Sequence, residues 1–237
     1  MRGLRRAWQG LGSLGYGAAR AFRNLLLAAL LLAGPASAGE RFVIAALGDS
    51  LTHGFGLAPE EGFVAELQRW LDARSPVPVT VLNAGVSGDT TAGGLSRIDW
   101  TLTPEVDAVI VELGGNDLLR GIDPAASRAN LDAILDRIRA RGLPVILAGL
   151  PAPLNYGPEY KAEFDAIFPE LAEKHGAHLY PHFLAALDGG EDPAAMARFM
   201  QPDGIHPNGE GVTRIVADFG PLVLRMIEES LARQSGG

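Results

Sequence analysis

Short apolar runs rich in β-branched residues alternate along this chain with longer segments whose apolar residues recur every three to four positions. The runs are "RFVIAAL" (Arg41 to Leu47), "VTVLN" (Val79 to Asn83), "DAVIVELGG" up to Leu113, "PVILAGL" (Pro144 to Leu150) and the less apolar "AHLYP". Each is too short for a core helix and carries no polar alternation, so each reads as a strand buried on both faces. Between them, Phe63, Val64, Leu67, Trp70 and Leu71 lie at helical spacing, as do Leu95, Ile98 and Leu102. The same spacing recurs in Leu131, Ile134, Leu135 and Ile138, which Gly142 follows. One further helix is expected around Tyr160, Phe164, Ile167, Phe168 and Leu171, and a long one from Val212 through Phe219 to Ile227. Alternating strands and helices, with strands covered on both sides, predict an α/β fold, a three-layer α/β/α sandwich around a parallel sheet.

The chain opens differently. Arg2, Arg5, Arg6, Arg20 and Arg23 are the only charges among the first 38 residues. They precede "LLLAALLLA" (Leu25 to Ala33) and a small-residue end at Ala38. A basic start, a short apolar run and an Ala-x-Ala end describe a secretory signal peptide, with cleavage near Ala38-Gly39. The expected organisation is therefore a signal peptide over 1–38 and a single domain over 39–237, in an exported protein, periplasmic or secreted. Without its signal the chain carries 15 basic against 28 acidic residues, a net charge of −13. That balance argues against a nucleic-acid partner and against anionic membrane surfaces. There is no cysteine, which excludes disulfides, thiolate chemistry and Cys-based metal sites.

In open α/β sheets, ligands bind beyond the carboxyl ends of the strands. The polar residues of this chain gather at those ends. "GDSLTHGFG" follows the first strand and offers Ser50. "NAGVSGDTTAGG" follows the second and offers the backbone of Gly88. "GGNDLLRG" follows the third and offers Asn116. The loop "QPDGIHPNGEG", before the last helix, offers Asp203 and His206. A serine hydroxyl is a poor nucleophile until a base takes its proton, and an imidazole titrates near neutrality. Asp203, three residues before His206 in a Pro/Gly-rich turn, can hold one ring nitrogen and leave the other for Ser50. The N–H groups of Ser50 and Gly88 and the side-chain amide of Asn116 are the candidate donors to an oxyanion. No GxSxG pattern surrounds Ser50, so the α/β-hydrolase elbow is not indicated.

Each of these residues also has an ordinary structural role open to it: Ser50 as a helix cap, Asn116 and Gly88 in turns. Asp49, Asp89, Thr90 and Asp117 read as caps and loop scaffolding. His53 reads as a pocket-wall residue. His175, His178 and His182 lack adjacent carboxylate motifs and read as surface or packing residues. Glu112, inside an apolar strand, has no role in this reading.

The blocks "GDSLTHGFG", "NAGVSGDTTAGG", "GGND" and "DGIHP" resemble, in order and spacing, those of the SGNH (GDSL) hydrolases. The resemblance extends over nearly the whole chain after residue 38. "VELGGNDLLRG", "NYGPEYKAEFDAIFPELA" and "MQPDGIHPN" are most similar to the exported bacterial thioesterase, lysophospholipase and arylesterase branch. It implies Ser50 as nucleophile, Asp203 and His206 as its triad partners, and Ser50, Gly88 and Asn116 as oxyanion donors. It also implies a flavodoxin-like sheet of five parallel strands and neither a metal nor an organic cofactor. The implied substrate is a small acyl ester or thioester, with at most transient contact with lipid, and a monomer is the expected state. Leu118, Leu119, Leu154 and Tyr156 are the expected pocket-wall residues. A carbohydrate O-deacetylase of the same fold and a non-catalytic binding module are the alternatives.

Overall fold

The computed structural model describes residues 41–187 and 193–235. The expected signal peptide lies outside them. Five strands, β1 (Phe42–Gly48), β2 (Val79–Gly85), β3 (Ala108–Glu112), β4 (Val145–Ala148) and β5 (His178–Tyr180), form one sheet in the order β2-β1-β3-β4-β5. Every neighbouring pair is parallel. The order reverses between β1 and β3, so the crevice at their carboxyl ends is the topological switch point, where such sheets bind ligands.

Nine α-helices lie in the described residues: α1 (Ser50–His53), α2 (Phe63–Asp72), α3 (Thr91–Thr101), α4 (Gly115–Arg120), α5 (Pro124–Ala140), α6 (Pro158–Asp165), α7 (Ile167–His175), α8 (Pro193–Ala197) and α9 (Gly209–Ser235). Alternate strand residues feed two cores. On one face Ile44, Ala46, Ile110 and Ile146 meet Phe63, Leu67 and Leu71 of α2 and Val212, Phe219 and Val223 of α9. On the other, Ala45, Leu47, Val109 and Val111 meet Ile98 of α3, Leu131 and Ile134 of α5 and Phe168 of α7. This double covering explains why the strands read as continuous apolar runs.

Two helices depart from the simplest reading. The segment expected as one helix around Phe164 and Leu171 is two, α6 and α7, meeting at Ala166. Pro169 has no N–H for the carbonyl of Asp165, so the helical ladder breaks there. In α9, by contrast, Pro221 stands inside a continuous helix. Both Pro221 and Ala217, whose carbonyl it leaves unbonded, are on the exposed side, where an unpaired carbonyl is open to solvent and costs little.

Candidate active site

The loop after β1 turns at once into α1, with Asp49 as its cap: Oδ1 accepts from the Leu51 N–H at 3.0 Å. Ser50 is the first residue of the helix. Two glycines make room for it. A Cβ on Gly48 would overlap the Thr52 side chain and sit 2.9 Å from the Glu112 carbonyl oxygen, and one on Gly85 would stand 2.8 Å from His53 Cα. The helix that carries Ser50 is thus seated against the bare backbone of β1 and β2.

Asp203 and His206 come from the loop before α9. Asp203 Oδ1 accepts from the N–H groups of Ile205 (2.9 Å) and His206 (3.0 Å), a side-chain-closed turn. Gly204 takes the left-handed conformation that this turn needs, at φ +67°. Oδ2 then lies 2.6 Å from His206 Nδ1, and Nε2 lies 2.8 Å from Ser50 Oγ. The loop is pinned by Gln201, whose N–H donates to the His206 carbonyl at 2.8 Å and whose amide donates to the carbonyls of Phe55 and Pro207. The Phe55 ring covers one side of the imidazole, with centroids 4.7 Å apart. The hydrogen bond from the His206 side chain, followed by those from the His206 and Ile205 N–H groups, lowers the Asp203 carboxyl to about 2. It therefore stays an anion at neutral pH, which fixes Nδ1 as a proton donor and leaves Nε2 to accept from Ser50.

Gly88 sits in a tight turn closed by the Asp89 N–H to the Val86 carbonyl at 3.0 Å, with φ +86°. Arg97 holds the turn's approach in place by donating to the carbonyls of Gly48 and Ala84 and pairing with Asp89 at 2.6 Å. Arg120 donates to the Gly88 carbonyl at 2.8 Å, so that peptide is tied to α4 by its oxygen. Asn116 is near the start of α4, and its Nδ2 donates to Asp49 Oδ2 at 3.1 Å. The next residue, Asp117, is fully buried and accepts from Thr91 N–H and Oγ1 and from Ser127 Oγ, which binds α3, α4 and α5 together.

Beside Ser50 opens a cavity of about 220 Å³ lined by Asp49, Ser50, Leu51, Gly115, Asn116, Leu118, Leu119, Leu150, Pro153, Asn155, Leu184 and Ile205. Leu118 and Leu119 are in its wall. Leu154 and Tyr156 are not: both lie on a one-turn 3₁₀ segment and are 66% and 44% exposed. The Tyr156 ring instead covers Gly121, and its hydroxyl donates to the Leu119 carbonyl at 3.4 Å. The sequence reading missed Leu150, Leu184 and Ile205. Leu150 carried a usable signal, since it follows β4 at the same sheet edge as the other loops; Leu184 carried none.

Other histidines take separate places. His53 Nδ1 is 2.9 Å from Ser87 Oγ, at the surface. His175, with no carboxylate next to it in sequence, is buried and meets Asp132 of α5 at 2.6 Å. Among the described residues no group of three or more His, Cys, Asp or Glu is placed to hold a metal ion.

Comparison with known proteins places the chain in a family. The family model for the GDSL-like lipase/acylhydrolase family matches residues 46–214. Esterase TesA of Pseudomonas aeruginosa is 39% identical over 83% of this chain and 94% of its own length. The thioesterase 1/protease 1/lysophospholipase L1 of Escherichia coli K12 is 36% identical over 76% of this chain and 81% of its own. Among solved structures, that of TesA superposes with a TM-score of 0.69 at 36% identity, covering 78% of this chain and 99% of that one. AlinE4, an SGNH-hydrolase family esterase, gives 0.64 at 44% identity, covering 79% and 97%. The chain belongs to the GDSL-like lipase/acylhydrolase family.

Proposed function

We propose that the chain hydrolyses carboxylic esters and thioesters through an acyl-enzyme on Ser50. One observation carries this reading: the unbroken relay Asp203–His206–Ser50, with bonds of 2.6 and 2.8 Å, ends beside an apolar cavity. His206 Nε2 takes the Ser50 proton as Oγ attacks the acyl carbonyl carbon, and the carbonyl π pair moves onto oxygen. The Ser50 and Gly88 N–H groups and the Asn116 amide receive that oxyanion. Collapse of the intermediate expels the alcohol or thiol, which takes its proton from Nε2. Water then enters by the same route, deprotonated by Nε2, and releases the acid and Ser50. Asp203 holds the imidazole in the tautomer this requires.

Leucines and Ile205 in the cavity wall support an acyl chain longer than acetyl, at about 0.8 kcal/mol per buried methylene. Such a wall is poorly suited to a sugar, and exposed Phe55, Leu119 and Ile205 at the catalytic edge suit transient contact with lipid. The test is hydrolysis of p-nitrophenyl esters of graded chain length and of acyl thioesters, with acetylated sugar in parallel. Activity should rise from acetyl towards octanoyl, and Ser50→Ala should reduce it to background. Activity confined to the sugar would make the chain a deacetylase, and activity on none would make it a binding module.

We also propose export, with residues 1–38 as the cleaved signal and 39–237 as the mature domain. Support comes from the basic start, the apolar run and the Ala38 end. Mass spectrometry of periplasmic or secreted protein should find Gly39 at the N-terminus; full-length chain retained in membranes would overturn this.

A further inference from the structure

Strand β3 ends on Glu112, a buried acid that the reaction above does not use. Its side chain is 0% exposed. Oε2 accepts from Thr52 Oγ1 at 2.9 Å, and Oε1 meets no donor. An uncompensated carboxylate in such a place is costly. Arg97 does not relieve it, because its guanidinium is committed to Asp89 and to the carbonyls of Ala84 and Gly48. The neighbour is a second buried acid, Asp49, 2% exposed. Asp49 accepts from the Leu51 N–H and from Asn116 Nδ2, and it directly follows Gly48, which is in register with Glu112 across β1 and β3. Two carboxyl groups hydrogen-bond only when one of them carries a proton. Asp49 has an N–H donor on each of its oxygens, whereas Glu112 Oε1 meets none, so the charge belongs on Asp49 and the proton on Glu112 Oε1.

We propose that Glu112 is held as a neutral carboxylic acid that donates Oε1–H to the Asp49 carboxylate, and that this buried pair fixes the Asn116 amide for the oxyanion. Glu112 and Asp49 are then positioning residues acting through Asn116. The electrostatics agree: burial first, and the Asp49 charge second, push Glu112 well above its ordinary value. Burial also raises Asp49 to about 6, against the opposing pull of Leu51 N–H, Asn116 and His206. The arrangement gives a physical role to a strand acid that spacing alone leaves without one. It deepens the esterase reading and rests on it.

The test has a readout that needs no substrate. Infrared difference spectra at neutral pH, wild type against Glu112→Gln, should show the C=O stretch of a protonated carboxylic acid in the wild type only. Absence of that band overturns the proposal; a band in a wild type that proves inactive supports the acid pair and sinks the esterase reading instead. In kinetics, Glu112→Gln supplies a neutral donor to Asp49 and an acceptor for Thr52, so it should keep most of kcat. Glu112→Leu should lose about 10–10²-fold in kcat with KM held, part of what a lost oxyanion donor costs. If Glu112→Leu does not fold, Asp49→Asn carries the same test. It should lower kcat alone yet cost little further on top of Asn116→Ala, because the two act as one unit. Fully multiplicative losses, or Glu112→Gln as damaged as Glu112→Leu, would overturn the proposal.

Discussion

Asn116 carries two amide N–H groups, and one of them goes to Asp49 Oδ2 at 3.1 Å. In the proposed mechanism the other is offered to the oxyanion. Because that bond strengthens as charge develops, Asn116→Ala should lower kcat by about 10²–10³ with KM little changed. A mere turn residue would behave differently: melting temperature would fall and activity per folded molecule would survive. Steady-state kinetics on variant shown to be folded by circular dichroism decides it, and a kcat above about a third of wild type, far from the loss expected for a removed donor, would take Asn116 out of the oxyanion hole. Asp203 illustrates the same scale from the other side. Its carboxyl is lowered to about 2 by the hydrogen bonds of His206 and Ile205. The orienting charge is therefore present at every pH above its ordinary value and lost only as pH falls through about 2.

The short helix α1 has four residues and could not stand alone in water. It holds because Asp49 caps it, because Leu51 and Thr52 are buried, and because two glycines let it lie on the strands. Gly85→Ala tests the last of these. Its Cβ would meet the His53 backbone and the Thr52 carbonyl carbon, neither of which is the flexible end of a side chain. The expected cost is about 1–3 kcal/mol, typical of overpacking, with a drop in kcat as Ser50 moves relative to His206. Urea denaturation and esterase kinetics on the same variant are the check; a wild-type midpoint would mean that the seat of α1 has slack. Gly220 plays a similar part between layers, where any Cβ would meet the Trp70 ring of α2 within 2.8 Å.

For the whole molecule, the buried acids under the site set a pH dependence of stability. Asp49 is raised to about 6 and Glu112 well above its ordinary value, both by burial first. Above the ordinary carboxylate range, the folded chain therefore binds more protons than the unfolded chain. Stability from this pair rises as pH falls from neutral through about 6 towards 4, and is lost as pH rises. Asp132 and Asp203 are lowered instead and act in the opposite sense, only as pH falls below their ordinary value. Glu112→Gln removes one acid whose folded-state proton is held well above the ordinary carboxylate range. Its denaturation midpoint should therefore depend less on pH between 5 and 7 than that of the wild type. Parallel curves for the two proteins would show that Glu112 is not protonated in the fold.

What the residues determine unaided is local and periodic. Apolar runs specify the strands, of which the three central ones are buried on both faces, helical stripes specify what covers them, and the loops at the strand ends announce Ser50, Gly88, Asn116, Asp203 and His206, all of which can be named from order and spacing. Contacts that depend on strand order cannot be read this way. That β1 lies between β2 and β3 is a fact of the assembled sheet, and it alone sets Glu112 in register with Gly48 and beside Asp49. The cavity wall follows the same rule. Leu184 reaches it from a segment with no strand or helix period to mark it, while Leu154 and Tyr156, though near in sequence, fall outside. His175 finds Asp132 across two helices, a pairing 43 residues apart in the chain. Periodicity reports which face a side chain takes on its own element, since that is set by backbone geometry within a few residues. Which distant side chain it meets there is decided only by how the layers close.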